Sequence, residues 1–158
     1  MSLFPFSTSQ YASGVSSTSY DLDVCVQQLR NHAEDAVLFG WKTLLRHDLM
    51  TAYQDCCEEG WNGYDAEPIT KQTILAGETL LELLPDNVMP PEVLPEPTGK
   101  ISFAWRNAAG ATLVIAVDSN SIAFAELIGS KKRYGEAKFL SALPDDMKKP
   151  LLDYFGWT

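Results

Sequence analysis

Basic residues are scarce in this chain: 12 lysines and arginines stand against 21 aspartates and glutamates in 158 residues, a net charge of −9. Phosphate backbones are bound by clustered Lys and Arg, so direct nucleic-acid binding is not expected. Cysteine is sparse too. Cys25, Cys56 and Cys57 form no CxxC pair and no metal pattern with the two histidines, His32 and His47. Vicinal cysteines on a helix point in different directions and do not bridge easily. An odd, sparse count suits a reducing cytoplasm, and burial as small hydrophobes is expected for at least two of the three. Long apolar runs are missing as well. The longest, Ala111 to Val117, is interrupted by Thr112 and falls far short of a bilayer. Met1-Ser-Leu-Phe-Pro-Phe lacks the basic start and apolar stretch of a secretory signal, so neither membrane insertion nor export is expected.

What is present suffices for a core. A hydrophobic fraction of 46% with four tryptophans supports one folded domain, and a chain of this length buries roughly 70% of the surface it exposes when unfolded. Residues 1–20 are uncharged and rich in Ser and Thr, with Phe4, Phe6, Tyr11 and Tyr20 scattered among them, and read as an extended or disordered arm. From Asp21 the period becomes helical. Leu22, Cys25, Val26, Leu29, Ala33, Ala36 and Val37 recur at three- and four-residue steps, and Leu44, Leu45, Leu49, Ala52, Tyr53 and Cys56 repeat the pattern up to Gly60. With Gly40 between them, these are two helices or one bent helix. His32 and His47 sit on these segments without a nucleophile or carboxylate at catalytic spacing.

The segment Trp61-Asn-Gly-Tyr-Asp-Ala-Glu-Pro68 is a corner. Asn62-Gly63 tolerates the positive φ of a tight reversal, Trp61 and Tyr64 bring two rings to one end of the turn, and Thr70 is placed to cap a following helix. That helix carries Ile74, Leu75, Leu80, Leu81, Leu83 and Leu84 and stops at Pro85; Gly77 inside it implies close packing against another element. Pro90, Pro91, Pro95 and Pro97 then form a stiff spacer. Beyond Gly99, Ile101, Phe103 and Trp105 alternate with small residues, as do Leu113, Ile115 and Val117, and then Ile122, Phe124 and Glu126, with turns at 107–110 and 118–120. Residues 134–139 are a candidate fourth strand. Asp145 to Phe155 is a short helix burying Leu151, Leu152 and Phe155, and Trp157 implies a docked end.

Trp61-Asn62-Gly63-Tyr64 with Ala66, Pro68 and Ile69, followed by Leu84-Pro85, the prolines from Pro90 to Pro97 and a strand ending in Trp105, resembles a motif of small uncharacterised bacterial proteins. The likeness spans about residues 58 to 128. It implies a bacterial, cytoplasmic protein of the accessory gene pool that includes toxin–antitoxin and phage-defence cassettes, and it brings no catalytic residue.

The expected fold is α+β: N-terminal helices, a central Leu-rich helix packed on a three- to four-stranded antiparallel meander, and a short C-terminal helix. A single domain is expected over 21–158: helices to 60, turn and helix over 61–84, a Pro-rich link over 85–98, sheet over 99–140 and a helix over 144–156. Charge divides along the same line. Residues 1–98 hold 15 acids and 4 bases, giving −11, and residues 99–158 hold 6 acids and 8 bases, giving +2. An acidic helical half suits a basic protein partner, or serves solubility.

The expected function is therefore a non-catalytic, acidic protein-binding module, with neutralisation of a basic toxin as one form of it. The candidate binding residues are Trp61, Tyr64, Asp65, Glu58 and Glu59, with Lys131, Lys132 and Arg133 as a basic loop. No cofactor, catalytic group or metal set is expected. Two alternatives compete: a metal-assisted hydrolase using Asp55, Glu58, Glu59 and Asp65, and a homo-oligomeric structural subunit.

Overall fold

The computed structural model describes residues 24–31, 40–139 and 141–157. By its contacts the chain divides into two units, Met1–Glu34 and Asp35–Thr158. In the first, residues 24–31 form a helix (α1) on which Cys25, Val26 and Leu29 are exposed. The expected arm, His32 and the stretch that would decide between one bent helix and two lie outside the described residues. No helix among the described residues is long and apolar enough to cross a membrane.

The second unit begins with Gly40 at the N-cap of α2 (Trp41–Cys56). The heptad-like spacing of Leu45, Leu49, Ala52 and Cys56 puts one buried stripe along this helix. Cys57 follows just past its end and is exposed, as is Cys25, so one cysteine is buried rather than the expected two or more. The stripe ends at Cys56, and the next residue points away from it.

Helix α3 (Lys71–Leu83) starts as its sequence predicts: the Thr70 hydroxyl accepts a 3.2 Å hydrogen bond from the Thr73 amide, and Leu84 before Pro85 closes the other end. Ile74, Leu80, Leu81 and Leu84 are buried, whereas Leu75 is 60% exposed on the outer face. Gly77 is where α2 and α3 touch. A Cβ there would lie 3.1 Å from a Leu49 methyl and 3.6 Å from the Phe103 ring, which explains a glycine in mid-helix despite its cost of about 1 kcal/mol. Lys42 donates to the Leu84 carbonyl and pairs with Asp86 at 2.7 Å, and Arg46 pairs with Glu82, so α2 is tied across the end of α3.

The sheet has five antiparallel strands in sequence order, β1 (Glu92–Pro95), β2 (Ile101–Arg106), β3 (Thr112–Val117), β4 (Ser121–Ile128) and β5 (Lys131–Lys138). The α+β class and the antiparallel meander agree with the sequence, with two corrections. The Pro-rich link contains β1, which proline permits because the strand is an edge. The supposed basic loop is the first half of β5, paired through Ile128↔Lys131, Leu127↔Lys132 and Glu126↔Arg133.

Register assigns the two faces. Phe103, Ile115 and Phe124 stand side by side on the inner face, next to Ile101, Val117 and Ile122 on one side and Trp105 and Leu113 on the other. These pack with Leu49, Leu80 and Leu81 and with Met147, Leu151 and Phe155 of α4 (Asp145–Phe155) in one core. Trp105 is 1% exposed and its indole N–H donates to the Met89 carbonyl at 2.8 Å. The backbone N–H groups of Met89 and Trp157 donate to the Phe155 and Asn87 carbonyls, docking 156–157 as the sequence implied, though the Trp157 ring itself is 60% exposed. On the outer face the central positions are small but for Val114: Ser102, Ala104, Ala116, Ala123 and Ala125 surround it.

Candidate functional site

The corner after α2 is stitched rather than open. Asn62 does not take positive φ; Gly63 does, at 82°. The Asn62 side-chain oxygen instead accepts from the backbone N–H of Tyr64 at 2.9 Å and of Ala66 at 3.3 Å, so the side chain itself makes the turn. Ala66 and Ile69 are buried, and the Trp61 indole N–H donates to the Glu67 carbonyl at 2.9 Å. Two further bonds reach outward: Ile69 N–H to the Cys56 carbonyl and Glu67 N–H to the Pro97 carbonyl, each 2.8 Å. The two rings part company. Trp61 packs against the core, and Tyr64 is 85% exposed.

Glu58, Glu59 and Asp65 are exposed around this corner, as are Asp55 and Glu67. The geometry does not gather them: among the described residues no three His, Cys, Asp or Glu side chains are placed to hold a metal ion. The thiols beside this corner are the exposed Cys57 and the buried Cys56. Burial pushes the Cys56 pKa up, with Asp55 and Cys57 adding to the shift, so it stays protonated at neutral pH and is a poor nucleophile. His47 lies on α2 next to Asp48, which is turned about 100° from it round the helix.

The opposite edge of the sheet is different. Strand β5 is the last strand in the sheet, eight residues long and exposed at every position but Gly135, which is half-buried. Among the described residues nothing pairs with its outer side. The strand carries Lys131, Lys132, Arg133 and Lys138 against Glu136. Its seat on β4 depends on Gly135: a Cβ there would come within 2.7 Å of the Phe124 ring directly across the ladder. The ring therefore lies over the bare glycine backbone, and the Arg133 guanidinium stands 5.7 Å from the same ring.

Beside this edge lies an ion cluster that sequence reasoning missed. Glu126 occupies an inner-face position next to Leu113 and is 7% exposed. Its Oε2 accepts no hydrogen bond and lies 3.5 Å from Arg133, whose other nitrogen reaches Asp146 of α4 at 3.4 Å. Arg133 is thus shared between strand and helix, and the cleft around it, ≈ 300 Å³, is also lined by Lys131, Lys149 and Asp153. The alternation Ile122, Phe124, Glu126 marked the inward position, but the partner became visible only with the β4–β5 register.

Comparison with family models, curated proteins and solved structures found no match for the chain.

Proposed function

We propose that this protein is a non-catalytic binding module that takes an extended segment of another protein onto the outer edge of β5. The observation that carries the reading is the length and openness of that strand, a row of backbone donors and acceptors with no neighbour among the described residues. Charged residues on an edge commonly serve to prevent such pairing. Here the charge has one dominant sign, so it repels a second copy of the same edge while attracting an acidic strand.

A second surface of opposite sign supports the neutralising role. The exposed Glu58, Glu59 and Asp65, together with the exposed ring of Tyr64, offer acids and an aromatic anchor to a basic protein such as the toxin of a bacterial toxin–antitoxin or phage-defence cassette.

Successive residues of a strand point their N–H groups to opposite edges, so of Glu136→Pro and Ala137→Pro one removes an outward donor and the other a ladder bond. The outward variant should keep its circular dichroism and lose the partner that the wild type captures from the source lysate. Undiminished capture by both folded variants would sink the edge reading. Loss of capture instead in Glu59→Ala/Asp65→Ala would transfer the site to the corner.

A further inference from the structure

We propose that the outer seam between α2 and α3 is where two copies of this chain meet, about a two-fold axis that crosses α3. On that side Met50 and Tyr53, three residues apart on α2, face Ile74 and Leu75 of α3 across a groove of ≈ 260 Å³. Met50 is 43% exposed and Leu75 60%, while Tyr53 is half-buried and Ile74 buried. Apolar side chains at helical spacing on two neighbouring helices make a groove of the kind that receives another helix. The seam is made by other residues than the β5 edge, so either contact can exist without the other.

Charge selects a second copy as the occupant. The same groove is flanked by Lys71 and Glu78. Seven residues are two turns, so these two lie on one face of α3, about 10 Å apart along its axis with Leu75 between them. Neither side chain has an ion-pair or hydrogen-bond partner among the described residues. A two-fold axis through the midpoint, between Ile74 and Leu75, lays a second α3 antiparallel on the first and sets the two Leu75 side chains against each other. It also brings Lys71 of each copy to Glu78 of the other, one contact made twice. The other titratable groups near this seam are Arg46, which is paired with Glu82, and His47, three residues before Met50. Lys71, Arg46, Glu78 and Glu82 sum to zero in a chain of net charge −9. The acids of α2, Asp48 and Asp55, line a different groove, against β1. Two acidic copies that repel over most of their surface can therefore approach here. A foreign helix would have to supply an acid and a base at this spacing, whereas a second copy carries them by construction.

Sedimentation equilibrium of the full chain over a concentration series tests this. The wild type should show a monomer–dimer equilibrium in the micromolar range, as suits a small interface. Lys71→Glu sets acid against acid at both contacts and Glu78→Lys sets base against base, so each variant alone should dimerise about tenfold or more weakly with its circular dichroism unchanged. Mixed in equal amounts, the two variants should form a heterodimer, and the double reversal Lys71→Glu/Glu78→Lys should dimerise like the wild type. Leu75→Ser, at an exposed position, should weaken association without unfolding the chain. A wild type that stays monomeric at every concentration overturns the proposal, as does a dimer that none of these variants weakens. Loss of dimer in the single variants with no recovery on mixing or in the double reversal overturns the two-fold pairing of Lys71 with Glu78.

Discussion

At one edge of the sheet, β1 is four residues long, ends in Pro95 and lies against α2; at the other, β5 runs for eight residues with four cations and, among the described residues, no strand on its outer side. The two edges pose the same problem, a row of unpaired peptide groups, and handle it by different means. At β1 the row is short, Pro95 contributes no N–H, and α2 lies alongside. At β5 the row is kept and given a sign. Acidic residues crowd near the closed edge, where Asp48 and Asp55 of α2 share a groove with Val93 and Pro95. An edge hidden by backbone chemistry cannot be re-addressed by changing solvent, whereas one guarded by charge is open to whatever carries the opposite charge.

The contrast can be broken from beneath. Trp105→Ala empties a site that supports both halves of the inner face, and should cost about 3–5 kcal/mol in chemical denaturation. Protection from hydrogen exchange should then fall at β1 and β5 alike. Arg133→Ala acts on one edge: it leaves the buried Glu126 carboxylate without its cation, and an expected loss of about 1–2 kcal/mol is set below a fully buried pair because Arg133 is half-exposed. Adding Glu126→Gln should recover most of that loss, and equal losses in the single and double variants would show that the pair contributes nothing.

A third prediction concerns the β3–β4 turn that carries the register. Burial pushes the Asp118 carboxyl up, but hydrogen bonds from the Asn120 and Ser121 amides and the Ser121 hydroxyl, with the Lys100 ammonium, outweigh it and hold the pKa below the ordinary carboxylate value. A depressed folded pKa stabilises the protein at neutral pH, and that contribution is lost as pH falls through it, below about 4. Asp118→Asn should cost about 1 kcal/mol at pH 7 and much less at pH 3, measured by urea unfolding at both. The smallest effect is expected at the closed edge. Pro95→Ala should stay within about 0.5 kcal/mol of wild type, and new self-association on light scattering would identify Pro95 as the residue that blocks that edge.

How much of this was legible depended on whether a segment buries one side. Helix α3 declared itself through Thr70, the leucines and Pro85, and β2 to β4 through strict alternation, because their inner residues must be apolar for the core to close. The turns were legible for a different reason: Asn62, Asn107 and Asp118 each hold two following amides with the side-chain oxygen, a local event independent of tertiary context. Strand β1 escaped, and of β5 only the second half was a candidate strand, over 134–139. Proline masks β1, and Lys-Lys-Arg-Tyr-Gly-Glu-Ala-Lys has no apolar period because β5 is exposed on both faces. The cationic half of the candidate surface was thus visible as a basic loop and not as part of the strand expected over 134–139, and the Glu126–Arg133 pairing needed a register that no single segment encodes.

The corner at Asn62 carries a further consequence for dissection. Through Cys56, Ile69, Glu67 and Pro97 it joins the end of α2, the approach to α3 and the β1–β2 turn. Cutting the chain in the proline stretch would sever neither a linker nor a hinge. It would take from each fragment the partner that completes its hydrogen bonds, so the helices and the meander are expected to melt together as one transition, and shortened versions ending near residue 90 should be recovered as unfolded chain.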